Sequence, residues 1–249
     1  MAAVPDRVFF FGTCLIDTFY PQAGIDAITL LAQQGIEVIF PPDQTCCGQP
    51  AYNAGYRDDA REVARQQLRC FDGEEPIIVP SASCAAMMRG HYAELFAGDA
   101  DEALARRFSG RVVEFTEFLL ETLRIRLKDQ GGPVRVAVHS SCSARHEIHT
   151  ADRIETLLEQ LDRVELVHQD HKGECCGFGG TFAVKQAGIS AAMVADKTAA
   201  LLRCDIDCYI TQDCGCLMNI DGALKHRDAP LRGVHVASFL LRRLRGESG

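Results

Sequence analysis

The sequence predicts an α/β protein made of two pseudo-symmetric, Rossmann-like halves, each a small, mainly parallel sheet flanked by helices. Three observations carry that expectation. Short β-branched and aromatic runs alternate with stretches of helical spacing. The alternation occurs twice, with a period of about 125 residues, which marks a duplicated domain rather than a solenoid. In both copies a Cys-Cys-Gly triplet falls at the same distance past the second strand. Strands alternating with helices imply parallel pairing through right-handed crossovers, with functional groups gathered beyond the carboxyl ends of the strands.

The first half opens with a hydrophobic run over residues 7–11, a buried strand that ends at Gly12-Thr13-Cys14. Residues 23–34 follow with Ile25, Ile28, Leu31 and Ala32 at helical spacing. A second strand is expected over 36–40, and Cys46-Cys47-Gly48 lies beyond it. A charged, Ala-rich helix over 56–68 leads to a third strand at 77–79, which ends in a cysteine-bearing turn at Cys84. Residues 112–120 then read as a short strand running into an amphipathic helix. The second half repeats the order. Its strand over 134–138 ends at His139-Ser140-Ser141-Cys142, and a helix over 151–161 carries Ile154, Leu157, Leu158 and Leu161. A strand over 164–167 precedes Cys175-Cys176-Gly177. A helix over 189–202, a strand over 208–211 with its own cysteine turn, and a strand-to-helix segment over 234–241 complete it. From Gly35 to Gly48 is 14 residues, and from Val164 to Gly177 is also 14. Gly131-Gly132-Pro133 breaks the preceding helix, so the halves are taken as 1–131 and 132–249.

Composition narrows the function. The chain is 47% hydrophobic and 24% charged, ordinary for a globular protein, with a net charge of −8 that argues against a nucleic-acid surface. The basic cluster Arg242-Arg243-Leu-Arg245 reads as a solvated helix end. No apolar run is long enough to span a membrane, and the N-terminus passes into a strand without signal-peptide architecture. A cytoplasmic location is expected. Twelve cysteines in such a chain point to metal or redox chemistry rather than disulfides.

Each half carries a cysteine, a Cys-Cys-Gly triplet and a further cysteine. The first set is Cys14, Cys46, Cys47 and Cys84. The second is Cys142, Cys175, Cys176 and either Cys214 or Cys216. Overlaying 77–79 on 209–211 puts Cys84 over Cys216 and Ala82 over Cys214, which favours Cys216. Four thiolates from separated loops suit iron–sulfur or zinc. Adjacent cysteines favour a cluster, whose separate irons each take one of two neighbours. Gly48, Gly177, Gly179 and Gly180 are expected to let the backbone approach the cofactor, and the helix after each triplet to aim N–H groups at it. Cys70, Cys204 and Cys208 have no counterpart in the other half and read as structural. His139, His146, His149, His168 and His171 surround the second set. One of them could ligate metal, relay a proton or orient a substrate carboxylate, but each taken singly reads as structural or exposed. Arg145 and Lys185, which could bind an anion, read as solvated.

These patterns resemble a known family. The duplicated Cys, Cys-Cys-Gly, Cys arrangement is similar to the cysteine-rich iron–sulfur domain of heterodisulfide reductase and of the iron–sulfur subunits of glycolate oxidase and anaerobic glycerol-3-phosphate dehydrogenase, and most similar to its lactate-utilisation branch. The strings that carry the resemblance are Thr13-Cys-Leu-Ile-Asp17, Pro42-Asp-Gln-Thr-Cys-Cys-Gly-Gln-Pro50, Pro80-Ser-Ala-Ser-Cys-Ala-Ala-Met87, Cys175-Cys-Gly-Phe-Gly-Gly-Thr-Phe-Ala-Val184 and Gly215-Cys-Leu-Met-Asn-Ile220. The resemblance implies one cluster on Cys14, Cys46, Cys47 and Cys84 and a second on Cys142, Cys175, Cys176 and Cys216, of the 4Fe–4S kind and oxygen-sensitive. It implies a ferredoxin-like iron–sulfur subunit and a third small subunit as partners, and oxidation of L-lactate, or another 2-hydroxy acid, to pyruvate without NAD. Peripheral attachment to the inner face of the membrane would come through those partners. The fullest family motif ends Cys-x-x-Cys, but Met87 and Asn219 stand at the fourth position here, which leaves one or two ordinary 4Fe–4S clusters as the expectation, and Ser143 stands where the family commonly has His. A heterodisulfide-type thiol–disulfide subunit and a non-catalytic metal-bound assembly module are the alternatives.

Overall fold

Residues 4–247 are described by a computed structural model. The chain divides into two compact units, Met1–Arg124 and Ile125–Gly249. In the first, β1 (Arg7–Phe10), β2 (Glu37–Ile39), β3 (Ile77–Val79) and β4 (Val112–Glu114) form an all-parallel sheet in the order β2-β1-β3-β4. Val8 pairs with Val38, Phe10 with Ile78, and Ile78 with Val113. The second unit repeats this with β5 (Val134–Val138), β6 (Val164–Leu166), β7 (Cys208–Thr211) and β8 (Gly233–His235), in the order β6-β5-β7-β8. The predicted α/β class and duplicated halves are what the structure has. Every strand pair among the described residues is parallel, so helices cover both faces and the central strand β3 is apolar throughout: Ile77, Ile78 and Val79 are all fully buried.

In each sheet the chain leaves the first strand toward one edge and then returns past it to the other. The order therefore reverses between β1 and β3, and between β5 and β7. A crevice forms beyond the carboxyl ends of strands at such a switch point. Cys14 follows β1 and Cys84 follows β3; Cys142 follows β5 and Cys216 follows β7.

Two local expectations are corrected. The turns foreseen around the outer cysteines are helical: Cys14–Phe19, Ala82–Ala86, Cys142–His146 and Cys214–His226. Two of these helices start on side-chain caps, Thr13 Oγ1 accepting from the Ile16 N–H and Ser141 Oγ from the Ala144 N–H, each at 3.2 Å. The segment after Ala86 continues through a π-helical turn, Met87–His91, into Tyr92–Leu95. The C-terminal basic cluster is also not simply solvated. Arg243 is 5% exposed, and its guanidinium forks onto Asp129 at 2.9 and 2.6 Å and donates to the Gly132 carbonyl at 2.6 Å. That pair pins residues 129–132 to the helix Val236–Arg245. Phe239 and Leu240, four and three positions before it, are buried, so the helix face that carries them also carries Arg243 inward.

Candidate metal centres

In the first unit the four thiols meet in series. Cys14 donates to Cys46 Sγ at 3.7 Å, Cys46 and Cys47 interact side by side, and Cys47 interacts with Cys84. The second unit reproduces the chain as Cys142–Cys175–Cys176–Cys216. Cys216, not Cys214, is the thiol that interacts with Cys176; Cys214 lies buried at the start of the same helix. The inner thiols are shielded, with Cys47 and Cys176 each 2% exposed, while Cys14 and Cys142 are open to solvent. Cys14 and Cys46 also line a cleft with Asp17, Phe40 and Gln44.

One thiol of each series is prepared as a thiolate. The Cys14 hydrogen bond, the neighbouring Cys47 and the Gly48 N–H, 3.4 Å from Cys46 Sγ, hold Cys46 far below the usual thiol range. Cys142, Cys176 and the Gly177 N–H, again at 3.4 Å, do the same for Cys175. The partners respond in the opposite sense: donating to those thiolates, with burial added, pushes Cys14, Cys47, Cys142 and Cys176 up. Converging, partly desolvated thiols with amide donors aimed at sulfur suit a soft, positively charged metal centre.

The triplet glycines are required by geometry. Gly48 and Gly177 have φ of 86° and 83°, a left-handed backbone that disfavours any side chain. A Cβ at Gly48 would meet the Ala60 carbonyl at 3.2 Å, and one at Gly177 would meet the Ser190 carbonyl at 2.8 Å. The long helices Arg57–Cys70 and Ala187–Leu202 thus present the carbonyl of their fourth residue to the triplet. The backbone N–H groups that act on the triplet sulfurs come from the triplet itself and the residue after it: Gly48 and Cys47 on Cys46, Gly177 on Cys175 and Phe178 on Cys176. Gly179 and Gly180 also have positive φ, 51° and 63°, and shape the turn that leads into Phe182–Lys185.

Each triplet is anchored through its second cysteine. Tyr92 Oη donates to the Cys47 carbonyl at 2.9 Å, and Asn219 Nδ2 donates to the Cys176 carbonyl at 2.8 Å. Asn219, noted in the sequence as a departure from a fifth cysteine, therefore has a structural role in this fold, whereas Met87 is fully buried in the core.

The family profile described as Cysteine-rich domain (CCG) matches residues 8–89 and 136–221, which take in both series of thiols. Lactate utilization protein A of Geobacillus kaustophilus (strain HTA426) is 40% identical over 237 residues, covering 94% of this chain and 98% of that protein. Its namesake from Geobacillus thermodenitrificans (strain NG80-2) is 41% identical over 235 residues, with the same coverage. Lactate utilization protein A 2 of Bacillus cereus (strain 03BB102) is 37% identical, covering 96% and 99%. The chain belongs to the lactate utilization protein A family. Among solved structures, a hypothetical protein from Helicobacter pylori superposes with a TM-score of 0.67 at 11% identity, over 96% of this chain and 49% of that one. That likeness concerns the fold.

Within this family member the two centres are built alike but surrounded differently. Of the five histidines near the second series, His146, His149, His168 and His171 are exposed and His139 is fully buried. Burial, with Lys197 nearby, pushes His139 down to about 3. Lys197 is itself fully buried on the helix Ala187–Leu202, and its Nζ donates to the His171 carbonyl at 2.7 Å. The charges of Arg145 and Lys197 act on the second series. At the corresponding places the first unit has Phe11, Asp17 and Gln67. Sequence reasoning places Lys197 only as part of a helix; the signal that marks it is a lone lysine among Ala and Leu. Cys70 accepts from Gln66, and Cys204 donates to the Ala200 carbonyl.

Proposed function

We propose that this protein is the iron–sulfur subunit of a bacterial system that oxidises L-lactate, or a related 2-hydroxy acid, to pyruvate, with the electrons leaving by one-electron steps and not to NAD. The observation that carries the reading is the pair of thiol series, one beyond the strand ends of each sheet, in a chain whose relatives are named for lactate utilisation. Cys14, Cys46, Cys47 and Cys84 would hold one cluster, and Cys142, Cys175, Cys176 and Cys216 another. A bound iron–sulfur cluster supplies reversible single-electron storage. The chain's own contribution is to pre-form Cys46 and Cys175 as thiolates, to point the Gly48 and Gly177 amides at sulfur, and to keep the inner thiols dry. Gly179 and Gly180 let the chain turn close to the second centre. In this reading the modules are the two halves, 1–131 and 132–249, in the cytoplasm, and work with a ferredoxin-like iron–sulfur subunit and a third small subunit. Among the described residues no helix is long and apolar enough to cross a membrane.

Anaerobic purification followed by iron and acid-labile sulfide analysis tests the cofactor. Iron and sulfide in near-equal amounts support it; zinc alone, or no metal, replaces it with an assembly module. Replacing Cys46 or Cys175 by Ser is expected to remove the iron of one centre and leave the other. Substrate is tested by deletion of the gene in a host with no second lactate dehydrogenase. Unimpaired growth on L-lactate would remove lactate from the proposal.

A further inference from the structure

Beside the second thiol series a buried imidazole is unaccounted for. The His139 side chain has no exposed surface, and neither Nδ1 nor Nε2 has a hydrogen-bond partner among the described residues. Leaving a buried polar group unpaired costs its full desolvation penalty, so native proteins give such a group a partner, a water or an ion. A ring nitrogen of His139 and the Sγ atoms of Cys176 and Cys216 lie within 4.8 Å of one another. The backbone explains why the ring points there. His139 continues β5 by one residue, its N–H donating to the Ile210 carbonyl of β7 at 2.9 Å, so its side chain stands at the switch point between those strands.

The first unit does not share the feature. Phe11 occupies the corresponding position, with its N–H on the Ile78 carbonyl of β3 at 2.9 Å and its ring packed 5.9 Å from Phe71. The same backbone site therefore holds an apolar ring in one unit and an unpaired imidazole in the other. Two neighbours follow suit. Ser140 Oγ and both side-chain polar atoms of Gln212 are buried without hydrogen-bond partners among the described residues, where the first unit has Gly12 and Pro80. A scaffold that needed only bulk at this place would keep Phe.

We infer that His139 is a protein ligand of the metal centre in the second unit, bonding iron through a ring nitrogen beside Cys176 and Cys216, so that the two centres differ in ligand set. The inference rests on the reading of the thiol series as iron–sulfur sites. At that iron the ring takes the place of one of the four thiolates, and nitrogen in place of sulfur has a definite consequence. Imidazole is neutral where thiolate is anionic, so an iron that takes it is easier to reduce, as the higher potentials of histidine-ligated clusters illustrate. The second centre is then the better electron acceptor of the two.

The test is pulsed EPR on the intact protein, purified anaerobically, reduced, and produced once with natural-abundance histidine and once with ¹⁵N-histidine. Strong nitrogen coupling that changes with the isotope and is lost in His139→Phe is the expected result. His139→Phe should also lower the potential of one of two redox steps and leave the other in place. Wild-type protein decides the matter even where the variant folds poorly. Absence of histidine coupling, or only the weak coupling of a hydrogen-bonded ring, overturns the assignment. Iron and sulfide content, measured on the same sample, separates the two failures: iron without histidine coupling rejects His139 alone, whereas a sample without iron rejects the cluster reading beneath it.

Discussion

Alanine at the two triplet glycines should cost unequally, and the difference follows from a few tenths of an ångström. Gly48 and Gly177 share their backbone conformation, with φ of 86° and 83°, so each substitution carries the same left-handed penalty of about 1–2 kcal/mol. The packing terms diverge. At Gly48 the new Cβ lies 3.2 Å from the Ala60 carbonyl, a tight contact that a small helix shift relieves. At Gly177 it lies 2.8 Å from the Ser190 carbonyl and 3.0 Å from Met193 Cβ, so backbone must move, and overpacking of that kind costs about 1–3 kcal/mol more. The Gly177 carbonyl also accepts from Ser190 Oγ at 2.8 Å, which ties the same helix to the triplet. Gly177→Ala should therefore lose about 2–5 kcal/mol and Gly48→Ala about 1–3 kcal/mol. Gly188→Ala, in the helix Ala187–Leu202 with nothing near its Cβ, should gain about 0.5–1 kcal/mol. Urea unfolding of the metal-free proteins measures all three, since bound metal would mask the differences by linkage. Equal losses at positions 48 and 177, or a larger loss at 48, would refute the reasoning.

Thiol reactivity provides a second check. In metal-free protein at about pH 6, iodoacetamide should modify Cys46 and Cys175 before Cys70, because hydrogen bonds lower the first two and burial raises the third; uniform modification on peptide mapping would contradict this. Asn219→Ala and Tyr92→Phe each leave a triplet carbonyl without its donor, a loss of about 1–3 kcal/mol. Each should weaken iron retention at its own centre, and a variant that loses iron at both centres would show that the anchor is not local. Asp129→Asn strands the buried guanidinium of Arg243, whose side chain is 6% exposed against 1% for Asp129, and should cost about 3–5 kcal/mol. Burial works against ionisation of Asp129, but the hydrogen bonds from Arg243 and from the Arg163 and Gly131 N–H groups outweigh it, so its folded value is depressed. That stabilisation is present above about pH 4, the unfolded carboxylate value, and is lost as pH falls through the folded one. Wild-type acid unfolding should therefore be steeper than that of Asp129→Asn.

The fold is legible in the sequence because its signals are local and repeated. Residues 77–79, 134–138 and 208–211 read as strands with the bounds they have, and the recurrence of Cys-Cys-Gly announces the duplication, although the second strands end at Ile39 and Leu166 and so lie at unequal distances from Cys46 and Cys175. The short helices after Cys14 and Cys142 escape such a reading although Thr13 and Ser141 stand at their capping positions; a helix of five or six residues has too few turns to show an apolar stripe. Arg243 escapes it for a different reason. Its partner Asp129 is more than a hundred positions away, and no local pattern distinguishes a paired buried arginine from a solvated one. The same holds for His139, which shares its stretch of sequence with four exposed histidines. Only its place one residue past β5, with its N–H on the Ile210 carbonyl of β7, separates it from them.

The duplicated units use the same backbone devices, so a difference between their centres has to come from side chains, and Lys197 isolates one such term. Its counterpart Gln67 is equally buried and donates to Thr45 Oγ1 and to the Cys46 carbonyl, at 2.6 and 3.3 Å, showing that a neutral amide fits this position of the fold. Lys197 reaches instead to the His171 carbonyl and brings a positive charge that acts on Cys175 and Cys176. A cation in a low-dielectric setting favours the more negative, reduced form of a metal centre beside it. Lys197→Gln exchanges that cation for the residue the first unit already tolerates, so the fold should persist while the redox step assigned to the second centre moves to lower potential. Redox titration of the anaerobic protein reads the shift directly. A step that stays in place or rises would mean that the buried ammonium serves only to hold the 171 loop.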